Sequence, residues 1–520
     1  VAARDAGDGV TDVLVVGAGP TGLTLAAQLS ALGARVRIVD SRVEPRPSRA
    51  FIVQPRTLEV LAPLGVAETM IARGDASARA RVQAGRRAAT IGLARPGVSD
   101  TPYPFLLAIP QTTVERVLEE HLRRAGVTVE WGVRFTSLTQ RDDAVVSVLE
   151  RRSGRPERIE TAYVVGCDGA DSSVRTQTGI AFPMRAYRPA VVLADVTVDA
   201  MEPDTVHGFV GARGILFLFP SPERTGWRLL TVVTGPANAE RRRRQCDLAW
   251  LQAVTDEFTH GTVRLGGPFW MDTIRLRRGQ AASYRRGRVL LAGIQDACNL
   301  GWKLALAAAG TAGEPLLDSY ETERRPLARV VRQLTDIAFL AEAADLRPLG
   351  LLRRYAVPVL LPFADRVTIP RWGFRLLGGL MIRYSHGVAA VEDGRQSRHR
   401  LHAGHRLPDA VVTCDDGTRR LHDVVRRPGF HLLLCGDQAA FDPSAVESLR
   451  DRCRLPIWVH RLSRPPQADG LRYASGRWPA RLGGGASAVY LVRPDRYIGF
   501  CGSGTALDGV AHYLDGLSRG

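Results

Sequence analysis

The stretch from Val13 to Asp40 constrains this chain more than any other. Val13-Leu14-Val15-Val16 reads as a short buried strand, Gly17-x-Gly19-x-x-Gly22 follows, and Leu23 to Leu29 reads as a helix that Gly33 stops. Arg35 to Val39 is a second strand, closed by Asp40. Strand, glycine turn, helix and strand over this length make a βαβ unit, which commits its strands to a parallel sheet covered by helices. Each glycine has its own task. Gly17 permits the tight turn, Gly19 lets the backbone approach a pyrophosphate, and Gly22 lets the helix pack close to the strand. The helix N-terminus offers free N–H groups and partial positive charge to phosphates. Asp40 is placed to accept hydrogen bonds from the adenosine ribose, which favours FAD or NAD over a 2′-phosphorylated dinucleotide.

The rest of the chain, 520 residues in all, supplies several further units. Ala162 to Gly166 and Arg288 to Ala292 read as two more parallel strands. Between them, Pro189 to Val198 and Gly214 to Val233 alternate apolar and polar residues, the pattern of an antiparallel sheet inserted within the first domain. Ile294 to about Ala341 is helical, and Gly387 to Leu407 reads as a polar linker. Strand candidates at 430–434, 456–459 and 488–492 and a helix from Gly509 predict a small α/β unit at the end. No apolar run is long enough for a membrane span and none follows a basic stretch near the N-terminus, so a cytoplasmic protein with no membrane partner is expected. The seven cysteines are scattered and lack Cys-x-x-Cys, against a disulfide framework or zinc ribbon. The net charge of +17 raises nucleic acid as a partner, but Lys303 is the only lysine among 70 basic residues. That skew reads as codon usage, aromatic content is only 7%, and no nucleic-acid partner is expected. The run Arg241 to Arg244 reads as the solvated face of a helix, and His399, His402 and His405 are spaced like metal ligands but lack a second cluster, so no metal is assigned.

Two later motifs favour flavin over nicotinamide as the bound cofactor. One is Gly166-Cys167-Asp168-Gly169 leading to Arg175; the other is Gly287 to Gly293, followed by Ile294-Gln295-Asp296-Ala297 and Asn299-Leu300-Gly301-Trp302-Lys303. With the glycine turn, Arg49-Ala50, Gln54 to Glu59 and Tyr320 to Pro326, they make the chain resemble the class A flavoprotein monooxygenases, aromatic hydroxylases built like p-hydroxybenzoate and phenol hydroxylases. The branch it is most similar to tailors aromatic polyketides in actinomycetes. The resemblance implies an α/β fold: a Rossmann-like FAD-binding domain (10–180 and 281–345), an inserted antiparallel-sheet substrate domain (181–280), a helical connector and linker (346–400) and a thioredoxin-like C-terminal domain (401–520). It implies FAD as cofactor, held by Gly17, Gly19, Gly22, Asp40, Arg49, Gln111, Asp168, Gly169 and Gly293, and NADPH as a transient reductant. Arg49 is assigned the catalytic role, as a fixed cation near the flavin edge. Asp296 and Asn299 are expected to hold their helix rather than touch substrate, and the structural alternative for Gln111 and Arg56 is helix capping or salt bridging.

The implied reaction inserts one oxygen atom from O₂ into a polycyclic aromatic polyketide, by ring hydroxylation or Baeyer–Villiger oxygenation, in a monomer or homodimer. A flavin oxidoreductase or dehydrogenase without oxygen insertion, and a non-catalytic homologue, are the competing readings. Leu193, Val196, Phe209 and Leu216 to Phe219 are the apolar supply for a substrate cavity. One departure stands out. The family carries Gly-Asp-Ala-Ala-His and a Pro- and Gly-rich loop between the strand and Ile-Gln-Asp-Ala, whereas here Ala292-Gly293 joins Ile294 directly. Strand-to-helix connections commonly take two to six residues, so the expectation is that a segment is missing and that the chain is not bonded across 292–294.

Overall fold

The computed structural model describes residues 11–518 except 44–51, 77–78, 93, 95–96, 152–153, 188–189, 200, 203–204, 212–213, 222–225, 234–246, 268–269, 275–276, 344–354, 358, 360–369, 385–386, 394–400, 415–416, 453–454, 464–470, 474–486 and 506. Arg49, the run Arg241–Arg244 and His399 therefore lie outside the described residues.

The first unit is organised by β1 (Thr11–Val16), α1 (Pro20–Ala31) and β2 (Val36–Asp40). Three distant strands join them: β3 (Val129–Trp131), β4 (Glu157–Gly166) and β5 (Val289–Leu291). The sheet runs Arg285–Arg286, β5, β4, β1, β2, β3, and every pair from β5 to β3 is parallel. Val145–Arg151 pairs antiparallel with β4, and Val133–Gln140 continues from it. Both faces are covered, as the apolar runs require: Val13 and Val15 sit in one core, Leu14 and Val16 in the other. Register brings the carboxyl ends into line, with Val16 opposite both Val39 and Gly166, and Gly166 opposite Leu291. Ligands of open parallel sheets bind at such a rim.

Two helices follow β5: α2 (Ile294–Ala308) and α3 (Glu314–Ala343). α2 lies directly against α1; a Cβ at Gly301 would be 2.8 Å from the Gln28 Cβ. β5 passes into α2 through Ala292 and Gly293. Ala292 N donates to Gly166 O at 3.2 Å, and Gly293 is the N-cap of α2 with its carbonyl accepting from Ala297 N at 2.7 Å. Two residues suffice because Gly293 is extended (φ −107°, ψ −179°) and α2 starts at the next residue.

A seven-stranded sheet, in the order 270–274, 190–196, 226–233, 214–221, 205–211, 79–84, 87–92, forms the second layer. Its last two strands come from a hairpin far upstream, outside the 181–280 segment, and join by parallel pairing of Arg79–Ala84 with Thr205–Gly211. Helix Leu248–Thr259 covers one face, where Val196, Phe209, Leu216 and Leu218 are buried with Leu251 and Phe258. These four belong to the core beneath that helix. Phe217 and Phe219, on the other face, are half-buried with ring centroids 5.8 Å apart. Leu193 is buried in a separate cluster with Leu230 and Trp270.

The C-terminal sheet has eight strands, centred on Phe430–Cys435 between Ala488–Val492 and Ile457–Ser463. The described parts of the expected linker, 387–393 and 401–407, belong to the C-terminal unit. Val391–Asp393 pairs with Ile498–Ser503, and Ala390, Leu401, Ala403 and Leu407 are buried beneath the sheet. No helix among the described residues is long and apolar enough to cross a membrane.

The alternation in 214–221 has a measurable consequence. Leu218→Ala should cost ~2–5 kcal/mol of stability in urea unfolding, as for other fully buried leucines, and Phe217→Ala clearly less. Equal losses would mean that both faces of this strand are core.

Candidate active site

The rim where β1, β4 and β5 end is built by contacts with no spare room. Gly17 has φ +103°, and a Cβ there would lie 2.6 Å from the backbone of Cys167. A Cβ at Gly22 would lie 1.8 Å from the Gly17 oxygen. Both glycines are therefore demanded by the protein's own packing. Gly19 is different: a Cβ there would meet nothing within 4 Å. Gly19 is the N-cap of α1, Pro20 follows, no side chain caps the helix, and its first turn has no acidic residue. The N–H groups and positive end of the helix dipole thus face open space, a site for a pyrophosphate.

Asp40 closes β2 and is 7% exposed. Its Oδ2 accepts from Ala18 N (2.7 Å) and Arg42 Nη2 (2.9 Å), and its Oδ1 from Arg42 N (2.8 Å) and Nε (3.0 Å). Burial pushes its pKa up, but the Arg42 and Ala18 hydrogen bonds outweigh this and hold it below the ordinary aspartate value. A carboxylate offers about four acceptor sites, and all four are engaged. A ribose hydroxyl reaches Asp40 only if Arg42 gives way. Gln111 opens the helix Gln111–Arg124 and donates to Glu115 Oε1 at 2.8 Å. That carboxyl is buried, and burial raises its pKa.

Asp168 follows β4. Its Oδ2 accepts from Ser173 N (2.6 Å), Ser173 Oγ (2.8 Å) and Val174 N (3.3 Å), anchoring the helix Ser173–Thr178, while Oδ1 is buried without a partner. Gly169 has φ +83° with nothing within 4 Å of a would-be Cβ, and Arg175 Nη1 steadies the loop by donating to Ala170 O at 2.8 Å. An orphaned acceptor beside an open glycine and a bare helix N-terminus fits a dinucleotide carrying hydroxyl and amide donors, so FAD suits the residues present. The third strand end contributes Gly293, whose N–H donates to Asp296 Oδ2 at 2.9 Å. The rim thus gathers Gly17, Gly19, Gly22, Asp40, Asp168, Gly169 and Gly293.

Behind it lies a cluster that sequence reasoning missed. Glu323 Oε2 accepts from Lys303 Nζ (2.8 Å), Arg493 Nη2 (3.0 Å) and Asn299 Nδ2 (2.6 Å), and Glu323 Oε1 from Arg493 Nη1 (2.6 Å). Arg493 also holds Asp495, to which Asn299 donates at 3.1 Å. All four charged side chains are at most 4% exposed. Arg56 is likewise structural: it donates to Glu59 at 3.0 Å and to the Asp495 carbonyl at 2.6 Å, with Tyr497 against its guanidinium. His402 Nδ1 lies 2.8 Å from Glu392 Oε1, and among the described residues no three His, Cys, Asp or Glu side chains are placed to hold a metal ion.

Comparison with known proteins adds two matches that together span most of the chain. Residues 10–335 match the family model described as FAD binding domain, and residues 400–517 match the one described as aromatic-ring hydroxylase, C-terminal. A flavin-dependent monooxygenase of Mycobacteroides abscessus is 31% identical, covering 94% of this chain and 96% of the relative. The 12-dehydrotetracycline 5-monooxygenase/anhydrotetracycline 6-monooxygenase of Streptomyces rimosus is 32% identical over 94% of each. An anhydrotetracycline hydroxylase structure from Streptomyces rimosus superposes with a TM-score of 0.75 at 29% identity, covering 98% of this chain and 99% of that one.

Two outcomes are expected. Gly19→Ala should fold normally and bind FAD more weakly, whereas Gly17→Ala should fail to fold stably; circular dichroism and flavin-fluorescence titration separate them. For pH, Glu323 is raised by burial but lowered further by Arg493 and Lys303, to about 2. Its folded value lies below its unfolded one of ~4.3, so its stabilisation is present above that pH and is lost as pH falls towards 2. Urea midpoints measured from pH 5 to 2.5 should fall more steeply for the wild type than for Glu323→Gln. Parallel curves would deny Glu323 this role.

Proposed function

The chain belongs to the FAD-binding aromatic-ring hydroxylases and is an FAD-dependent monooxygenase, and we propose that it hydroxylates a polycyclic aromatic polyketide at the expense of NADPH. The observation that carries the substrate class is the full-length similarity to the tetracycline-tailoring monooxygenase of Streptomyces rimosus. Ring hydroxylation is favoured over Baeyer–Villiger insertion because that relative and the anhydrotetracycline hydroxylase are both named for hydroxylating or monooxygenating steps on such rings. Overall, O₂, NADPH, a proton and the phenolic substrate give the hydroxylated product, NADP⁺ and water.

Bound FAD would supply the redox chemistry, accepting a hydride and activating O₂ for transfer of one oxygen atom. The chain's own residues bind and orient it. The bare N-terminus of α1 at Gly19 would hold the pyrophosphate, Asp40 the adenosine ribose once Arg42 gives way, and Asp168 Oδ1 a hydroxyl or amide donor. Gln111 would reach the cofactor from its helix start, and Arg49 remains the proposed fixed cation near the flavin edge. Phe217 and Phe219 would lie against the substrate rings, with the inserted sheet as the roof of the cavity. The first unit is the Rossmann-like domain of this reading, and the C-terminal sheet its thioredoxin-like domain. That last unit would serve structure rather than redox exchange, since its cysteines form no Cys-x-x-Cys.

Purified protein should be yellow and release FAD on denaturation. NADPH oxidation should accelerate with a tetracyclic phenol such as anhydrotetracycline, and the product should carry one oxygen atom from isotopically labelled O₂. Substrate-independent NADPH oxidation with no label in any product would replace this reading with a simple flavin oxidoreductase.

A further inference from the structure

The corner at Leu291–Gly293 is held far more firmly than a two-residue connection needs. Leu291 N donates to Tyr284 O at 2.9 Å, and Tyr320 Oη donates to Leu291 O at 2.5 Å. Ala292 N reaches Gly166 O, and Gly293 N reaches Asp296 Oδ2. Asp296 is itself fixed: its Oδ1 accepts from Arg324 Nε at 2.6 Å. Arg324, 7% exposed on α3, donates onward to Tyr384 Oη at 3.2 Å, and the Tyr384 ring packs 4.1 Å from that of Tyr497 in the C-terminal sheet region. A hydrogen-bonded chain therefore runs from Tyr384, whose ring packs on Tyr497, through Arg324 of α3 and Asp296 to one backbone N–H at the rim.

The position of that N–H matters. Asp40 marks the side of β1 where the adenosine half of a dinucleotide lies. With the pyrophosphate at α1, the other half must extend the opposite way, over β4 and β5. Two strand spacings carry it ~10 Å, to the end of β5, where Ala292 and Gly293 sit. We propose that Asp296 and Arg324 are positioning residues for FAD: they set the corner 291–293 that the ring-bearing half of the cofactor meets, and they tie its geometry to Tyr384 and the C-terminal unit. This rests on the FAD reading given above.

The test compares the wild type with Arg324→Gln, Arg324→Lys, Asp296→Asn and Tyr384→Phe. FAD affinity is read by fluorescence quenching, the bound flavin by visible circular dichroism and midpoint potential, and the apoprotein by thermal unfolding. Losing a hydrogen bond to a charged group should raise the FAD Kd of Arg324→Gln by on the order of tenfold and shift its flavin spectrum, with Arg324→Lys recovering part of both. A wild-type Kd, spectrum and potential in Arg324→Gln, with only a lower Tm, would overturn the proposal and leave a purely structural ion pair. Should Arg324→Gln fail to fold, the same readouts on Asp296→Asn and Tyr384→Phe decide: unchanged Kd and potential in both overturn it. A wild type that binds no FAD overturns the cofactor reading itself, and this inference with it.

Discussion

The structure depends first on the contact between the glycine turn and the end of β4. Gly17 and Gly22 bring the backbones of residues 17 and 167 so close that no side chain fits between them. That contact places the N-terminus of α1 beside Asp168 and aligns the ends of β1 and β4 on one rim. It also separates the glycines by cause. Two are forced by internal packing, and Gly19 alone is kept small on the side where nothing in the protein lies. An open position at a bare helix terminus is one that an anion can approach closely.

A second constraint is the buried group of Lys303, Glu323, Arg493 and Asp495. Its two cations and two anions cancel, and Asn299 bridges both carboxylates. Buried ion pairs are poor evidence for stability, because desolvation offsets most of the attraction, but removing one partner costs roughly 3–5 kcal/mol. Such an arrangement is sensitive to misplacement and so specifies how the C-terminal unit seats on α2 and α3. Burial, with Arg493 alongside, pulls the Lys303 pKa down to about 8. Glu323, and to a lesser degree Asp495, oppose that fall and favour the charged form. A compact ammonium suits this spot, with Trp302 packed alongside. In a chain that otherwise uses arginine throughout, the one lysine occupies a fully enclosed site.

Legibility in the sequence follows the range of the interaction. β1, α1 and β2 are readable because periodicity, glycine spacing and Asp40 lie within thirty residues or so of one another, the reach of one βαβ unit. The ends of β4 and β5 are readable as apolar runs that stop at Gly166 and Gly293. The hairpin 79–92 is not: its Arg-rich strands look like surface, and their partner lies more than a hundred residues downstream. Nor is the ionic group, since Glu323 and Arg493 each read as an ordinary solvated charge until the fold brings them together. Ala390, Leu401, Ala403 and Leu407 mislead for a related reason, because apolar residues scattered among polar ones carry no periodicity yet fill the core under the C-terminal sheet. At 292–293 the local signal is a glycine N-cap with a carboxylate three residues on, which is where α2 starts.

Asp168 shows how the rim's stability and its chemistry are set against each other. One oxygen takes three donors and fixes the start of the helix Ser173–Thr178, so the carboxylate cannot turn away. The other is thereby held buried and unpartnered, at a cost of about 1–3 kcal/mol for such a group. Asp168 and Ser172 share the capping of that helix: Asp168 Oδ2 takes the Ser173 and Val174 N–H groups and Ser172 Oγ takes that of Arg175, which leaves Oδ1 with no local task. A donor brought by a ligand would remove that cost. The neighbours of Asp168 on the rim are the open side of Gly19 and the pinned N–H of Gly293, so a helix N-terminus, a fixed acceptor and the end of β5 stand in that order along the sheet. Groups ordered along three parallel strand ends suit a long dinucleotide better than a single phosphate ester, and in this way the register of the sheet bears on which cofactor the rim can take.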